Sequence, residues 1–205
     1  MKDKIYIIHY DKLVERKEHI EQEISKHNFS FVEWVIDKNP DNLSTQELSL
    51  FSTGVSMGSK SLTMKHIETF KRIVKENLDY ALVFEDDVLL NDNFVSEYEK
   101  IKEEFIKSDF EICFIGSGCN LKVEKIIKNK QIYDSNHDTR CTDSYIIKKS
   151  LCKKLLDIYI EYPEYSVNID FIMNEWFTDL KIKTCWAGKS IVRQGSQHSV
   201  FRRSI

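Results

Sequence analysis

Residues 79–91 read DYALVFEDDVLLN. An apolar run from Tyr80 to Phe84 stops abruptly at three acids, Glu85, Asp86 and Asp87, and apolar residues resume at Val88. A short continuous apolar run beside a turn signal is the pattern of a strand buried on both faces of a sheet. Three neighbouring carboxylates repel one another unless positive charge sits among them. In open α/β sheets, ligands bind at the carboxyl ends of strands. The stretch therefore points to a divalent-cation site holding a phosphorylated ligand, with a solvated acidic turn as the plain alternative.

Working outward, strands and helices alternate on either side. KIYIIH (Lys4 to His9) is a short apolar strand, and Lys12 to His27 carries Leu13, Ile20 and Ile24 on one helical face. FSFVEWVI (Phe29 to Ile36) alternates and is rich in β-branched and aromatic residues, so a second strand is expected. Strand, helix and strand within about 35 residues make a βαβ unit. Asp37 to Ser61 is polar, with at most a short helix from Thr45 to Phe51; a connection of that length beside a sheet is often functional. The spacing of Leu62, Ile67, Phe70, Ile73 and Val74 predicts a helix over Ser61 to Glu76 that feeds the 80–84 strand. Phe94, Tyr98, Ile101 and Phe105 form the stripe of another helix, and Phe110 to Gly116 is a strand ending in a flexible Gly116-Ser117-Gly118 loop. Residues 121–140 are polar and give no clear pattern. A strand at Ser144 to Ile147, a helix capped by Ser150, a helix over Ile169 to Leu180 and a strand at Ile182 to Ala187 follow, and the tail from Val192 to Ile205 is polar and basic. The fold class expected is α/β with a mostly parallel central sheet flanked by helices.

Composition narrows the function classes. At 205 residues, 41% hydrophobic, with three Trp, nine Tyr and twelve Phe, the chain fits one domain with a real core. A net charge of −3, with Lys and Arg spread along the chain, argues against nucleic acid as a partner. No segment approaches 18 apolar residues, and MKDKIYIIHYDK is neither a signal peptide nor an integral membrane segment. The expected location is the cytoplasm, in solution or at the periphery of a membrane. Five cysteines (Cys113, Cys119, Cys141, Cys152, Cys185) without a CxxC pair read as reduced structural thiols.

Several ordered stretches resemble glycosyltransferase family 25, the lipooligosaccharide-type and collagen-type sugar transferases. They are IYIIHYDKLVERKEHI, SLTMKHIETFKRIVKENLDYALVFEDDVLL, TDSYIIKKSLCKKLL, NIDF and IVRQGSQHS. The chain differs from the family pattern at His9-Tyr10, where the family carries Asn-Leu, and at Val167-Asn168, where it carries Pro. The resemblance implies a GT-A-like single domain over residues 1–205, with a nucleotide-sugar donor half at 1–118 and an acceptor half plus tail at 119–205. It implies a metal-dependent, inverting transfer of a hexose, galactose or glucose foremost. The donor would be a nucleotide-diphosphate sugar, a UDP-sugar before others, and the acceptor a hydroxyl on a glycan, lipid-linked or protein-linked group. A nucleotidyltransferase of related fold and a non-catalytic sugar-binding relative are the alternatives. The first normally carries a Gly-rich phosphate loop after its first strand, and IIHYDKLVER has no glycine.

On that resemblance the residues take roles. Mn²⁺ or Mg²⁺ would bridge the diphosphate, with Asp87 as the direct ligand, Glu85 on the same side of extended chain, and His198 as a late third ligand. Glu85 also has a reading on the ribose, and Asp86 one as the residue that orients the turn. Asp11 and Arg16 lie where a base or ribose would sit, Lys65 and His66 open the helix near the acidic strand, and Arg193 offers charge to a phosphate. Asp170, at a helix start, is the candidate general base, ahead of Asp143 and Glu175. Tyr162, Tyr165 and Trp176 are read either as a sugar-stacking platform or as core.

Overall fold

The computed structural model describes residues 2–161 and 164–196. Its spine is a seven-stranded sheet built from β1 (Lys4–Ile8), β2 (Phe31–Val35), β3 (Tyr80–Glu85), β5 (Ile112–Phe114), β6 (Ile132–Asp134), β7 (Ser144–Lys148) and β8 (Thr184–Ala187). Their order is β2-β1-β3-β7-β5-β8-β6. β1, β2, β3, β5 and β8 run one way, so the sheet is mostly parallel; β7, between β3 and β5, and β6, at the edge, run against them. A separate ribbon pairs β4 (Val88–Leu90) with β9 (Val192–Gln194) in antiparallel register.

The helices are α1 (Val14–Lys26), α2 (Thr45–Leu48), α3 (Met57–Lys75), α4 (Phe94–Lys107), α5 (Lys149–Glu161) and α6 (Ile169–Asp179). Period-two alternation divides the core between the two sheet faces. Tyr6, Ile8, Ala81 and Val83 face α3, α5 and α6, where Ile67, Phe70, Leu155 and Met173 pack. Ile5, Ile7, Leu82 and Phe84 face α1 and α4, where Ile20, Phe94, Tyr98 and Phe105 pack. β3 is thus buried on both faces, as its apolar run requires, and it delivers Glu85, Asp86 and Asp87 to the sheet's carboxyl edge.

Three local expectations need correction. α3 begins one turn before Ser61, because the Ser56 side chain accepts the Ser59 N–H at 3.1 Å and caps it. Ser150 caps nothing: α5 continues directly from β7 at Lys149, and the Ser150 hydroxyl donates to Glu111 at 3.3 Å. The Gly116–Gly118 loop owes its glycines to close approach rather than flexibility. A Cβ on Gly116 would stand 2.4 Å from Asp143 Oδ2, and one on Gly118 would stand 2.0 Å from the Arg140 carbonyl oxygen. Of the two readings of the late aromatics, the core one holds for Tyr165 and Trp176, which are fully buried in the cluster that also holds Phe51; Tyr162 lies outside the described residues. The strands β4, β6 and β9 had no expected counterpart. Each is three residues long, too short for a period to show.

Candidate active site

A cavity of about 470 Å³ opens at the carboxyl edge of β1 and β3, roofed by the start of α3 and by the residues after β9. Arg16, Lys65, Glu85, Asp86 and Asp87 line it together with His9, Gln194 and Ser196. Its size is that of a small-ligand site.

Asp86 is structural at its centre. Its two oxygens meet His9 Nδ1 at 2.8 Å and Arg16 Nη1 at 2.9 Å, and all three residues are buried. Burial works against the Asp86 charge, yet the His9 hydrogen bond and the Arg16 charge outweigh it and hold the carboxyl below its ordinary range. Asp86 therefore ties β3 to the end of β1 and to α1. Lys65 does a parallel job from α3: its ammonium donates to the His9 carbonyl at 2.5 Å, to Asn39 Oδ1 at 2.5 Å and to the Val35 carbonyl at 3.4 Å. Burial depresses its pKa to about 8.

Asp87 is different. It is 2% exposed, its backbone carbonyl accepts the Gly195 N–H at 2.7 Å, and its Oδ2 accepts the Ser196 N–H at 3.2 Å. Its Oδ1 is buried with no hydrogen-bond partner among the described residues. Burial first, and the charge of Glu85 second, raise its pKa to about 6. Beside it Asp143, fully buried just before β7, also has an Oδ1 with no partner among the described residues, while its Oδ2 accepts the Ser144 hydroxyl at 2.8 Å. Burial and then Glu85 push the Asp143 carboxyl well above its ordinary range. Glu85 joins the end of β3 to the residues before β7: its N–H donates to the Asp143 carbonyl at 2.8 Å and its Oε1 accepts the Thr142 hydroxyl at 2.9 Å. Its Oε1 also lies 3.6 Å from His66 Nε2, on a ring whose Nδ1 is bonded to the Tyr145 hydroxyl at 2.7 Å.

The charge of Glu85 thus raises the proton affinity of both Asp87 and Asp143, and one oxygen on each of these two is buried and orphaned among the described residues. Such an arrangement is costly unless a cation supplies countercharge. These hard oxygen donors fit Mg²⁺ or Mn²⁺. Among the described residues no group of three or more His, Cys, Asp or Glu is already arranged around a common ion position, so ligand oxygens would have to complete the shell. His198 lies outside the described residues.

The sequence of residues 2–173 matches the family described as "Glycosyltransferase family 25 (LPS biosynthesis protein)". The chain belongs to glycosyltransferase family 25. Among its relatives in the family, the lipooligosaccharide biosynthesis protein lic2B of Haemophilus influenzae is 28% identical over 163 residues, covering 73% of this chain and 61% of that protein. The lipooligosaccharide biosynthesis protein lex-1 of Haemophilus influenzae (strain ATCC 51907 / DSM 11121 / KW20 / Rd) is 28% identical over 118 residues, 53% of this chain and 39% of that protein. The chain therefore spans less than two thirds of the length of either. In fold it is similar to the crystal structure of a glycosyltransferase involved in glycosylation of the major capsid of PBCV-1. That match has a TM-score of 0.52 at 11% identity and covers 99% of this chain and all of the other.

Within this family 25 chain the remaining candidates separate. Asp170 lies half-buried in the first turn of α6. Burial, and then the charge of Glu85, raise its pKa against the Phe171 N–H and the charge of His66, and Asp170 itself does not line the cavity. Glu175 is on the exposed side of α6. His66 sits behind Glu85, stacked on Tyr145 and outside the cavity lining. Arg193 is an exposed ribbon residue, and Asp11 is exposed and accepts the Asn39 side-chain N–H at 2.8 Å; neither lines the cavity. His9, Thr142 and Ser196 were missed. A histidine at a strand's carboxyl end was a readable signal for His9, whereas Ser196 acts through its backbone N–H and left none.

Proposed function

We propose that this protein is a metal-dependent, inverting hexosyltransferase that takes a sugar from a nucleotide-diphosphate donor, a UDP-sugar foremost. The observation that carries this reading is the pair of orphaned buried oxygens, on Asp87 and Asp143, beside Glu85 at the end of β3. Mn²⁺ or Mg²⁺ held there by Asp87 and Glu85 would neutralise the leaving diphosphate as a Lewis acid. Arg16, fixed by Asp86, and Lys65 are the cationic side chains of the cavity lining on the side of β1, where the nucleotide would lie.

Asp170 is the base. Its raised proton affinity suits removal of the acceptor hydroxyl proton as that oxygen bonds to the anomeric carbon and the carbon–phosphate-oxygen bond breaks on the opposite face. The diphosphate leaves with the bonding electron pair, and the proton ends on the Asp170 carboxylate. Since lic2B and lex-1 are lipooligosaccharide biosynthesis proteins, a hydroxyl on a lipid-linked glycan is the acceptor class we favour.

Incubation with UDP-galactose or UDP-glucose, Mn²⁺ and a lipooligosaccharide acceptor tests the reading by release of UDP. Wild type turns over, EDTA stops it, and Asp170→Asn lowers kcat by about a hundredfold or more while donor affinity stays within about twofold. Full turnover in Asp170→Asn would remove it as the base.

A further inference from the structure

The segment 121–131, LKVEKIIKNKQ, plays no part in the site above. It carries Lys122, Lys125, Lys128 and Lys130 against a single acid, Glu124, in a chain whose net charge is −3. Interleaved with these lysines are exposed apolar side chains: Leu121 at 37%, Ile126 at 48% and Ile127 at 52% of full exposure. Scattered apolar residues on a surface are ordinary, but two adjacent isoleucines inside a basic run are not. The segment is held in shape. The Ile127 N–H donates to the Tyr133 hydroxyl at 2.6 Å, the Gln131 N–H donates to Glu104 at 2.7 Å, and Ile126 and Ile127 border a cleft of about 390 Å³ with Lys128, Lys130 and Lys189. From α4, Glu104 sets one negative charge against the segment, while Glu97 and Lys100, which also border the cleft, pair with each other at 2.7 Å.

Its place in the fold gives it meaning. β6 runs antiparallel to β8, with Ile132 opposite Ala187, and the Gly188 N–H donates to the Gln131 carbonyl at 2.7 Å. The segment therefore emerges at the same carboxyl edge as Glu85 and Asp87. The chain from Lys189 to Ser196 then connects the cleft to the candidate site: Lys189 borders the first and Ser196 lines the second.

We propose that segment 121–131 docks this edge of the protein onto an anionic lipid bilayer. Ile126 and Ile127 enter the headgroup boundary and the lysines pair with lipid phosphates, in the manner of other basic-apolar surface segments. Charge complementarity selects an anionic occupant over a neutral or basic one, and the two exposed isoleucines among the lysines select a bilayer, with its apolar interior, over a purely polar anionic surface. The placement would bring the open cavity to face a membrane surface, where a lipid-borne acceptor is presented. The proposal goes beyond the transfer reading and stands without it.

Co-sedimentation of the full chain with vesicles is the test, since it needs no activity. The protein is expected to pellet with vesicles of equal parts phosphatidylcholine and phosphatidylglycerol, and to stay in the supernatant with phosphatidylcholine alone. Lys125→Gln with Lys128→Gln should lower partitioning about thirtyfold, about fivefold for each lysine. Ile126→Ser with Ile127→Ser should lower it about tenfold or more, with thermal unfolding unchanged because these side chains are exposed. Equal behaviour on the two vesicle types, or no binding to either, overturns the proposal. So does full binding by the isoleucine variant, which would reduce the segment to a counter-ion surface.

Discussion

Asp86 and Asp87 are adjacent and both buried, yet they do opposite work. Asp86 is paired on both oxygens, so breaking the pairing strands Arg16 and His9 in the interior. Asp86→Asn is therefore expected to cost about 3 kcal/mol of stability, read from urea midpoints. Asp87 has an orphaned oxygen and two acidic neighbours, so its charge burdens the metal-free fold. Asp87→Asn should accordingly leave the EDTA-treated protein as stable as wild type or about 1–2 kcal/mol more so, while removing metal-dependent nucleotide binding. A loss of several kcal/mol in Asp87→Asn would place it among the structural acids instead. The sequence made the three acids visible but not their division of labour. That division is set by His9 and Arg16, more than 60 positions away, and by an Asp143 whose role depends on β7 lying against β3.

At the scale of elements, side chains and missing side chains bring the loop ends together. Lys65 stitches α3 to the end of β1 and to the following loop. Burial holds its pKa at about 8 against 10.5 for the unfolded chain. Between those values the unfolded chain binds a proton that the folded chain does not, so this lysine makes stability rise from about pH 8 to about pH 10.5; below pH 8 its penalty is fully present. Lys65→Met should lose about 1–3 kcal/mol near pH 7, from the stranded acceptors, and lack that rise. Parallel stability–pH curves for the two proteins would contradict the buried-ammonium picture. Gly118 admits the Arg140 backbone, and a methyl there meets a carbonyl that has no side-chain torsion to move aside. Gly118→Ala is expected to cost about 2–3 kcal/mol by thermal unfolding. The long helices and the buried strands were legible because an apolar period persists over several turns or a full strand. The three-residue strands β4, β6 and β9 were not, and the glycines of residues 116–118 were misread because close approach leaves no local signature.

For the whole molecule, the sheet order explains why a site forms where it does. β1 and β3 run parallel and end together, so Ile8 and Glu85 stand side by side and the chain ends diverge around a cavity. β7 enters antiparallel beside β3, which brings its leading residues, Thr142 and Asp143, to the same edge. The β4–β9 ribbon then closes the far wall with Gln194 and Ser196. An α/β fold with strands feeding one acidic edge was readable from alternation alone; the reversal of β7 was not, since its apolar run fits either direction. The most direct measurement is calorimetric titration of UDP, GDP and CDP into wild type and Asp87→Asn, with Mn²⁺ and with EDTA. Wild type should bind at least one of them, UDP foremost, with a Kd well below about 1 mM in Mn²⁺, and EDTA or Asp87→Asn should weaken it at least about tenfold. Binding by Asp87→Asn as tight as wild type, or no binding of any of the three below about 1 mM, would contradict a diphosphate-bridging metal at the end of β3.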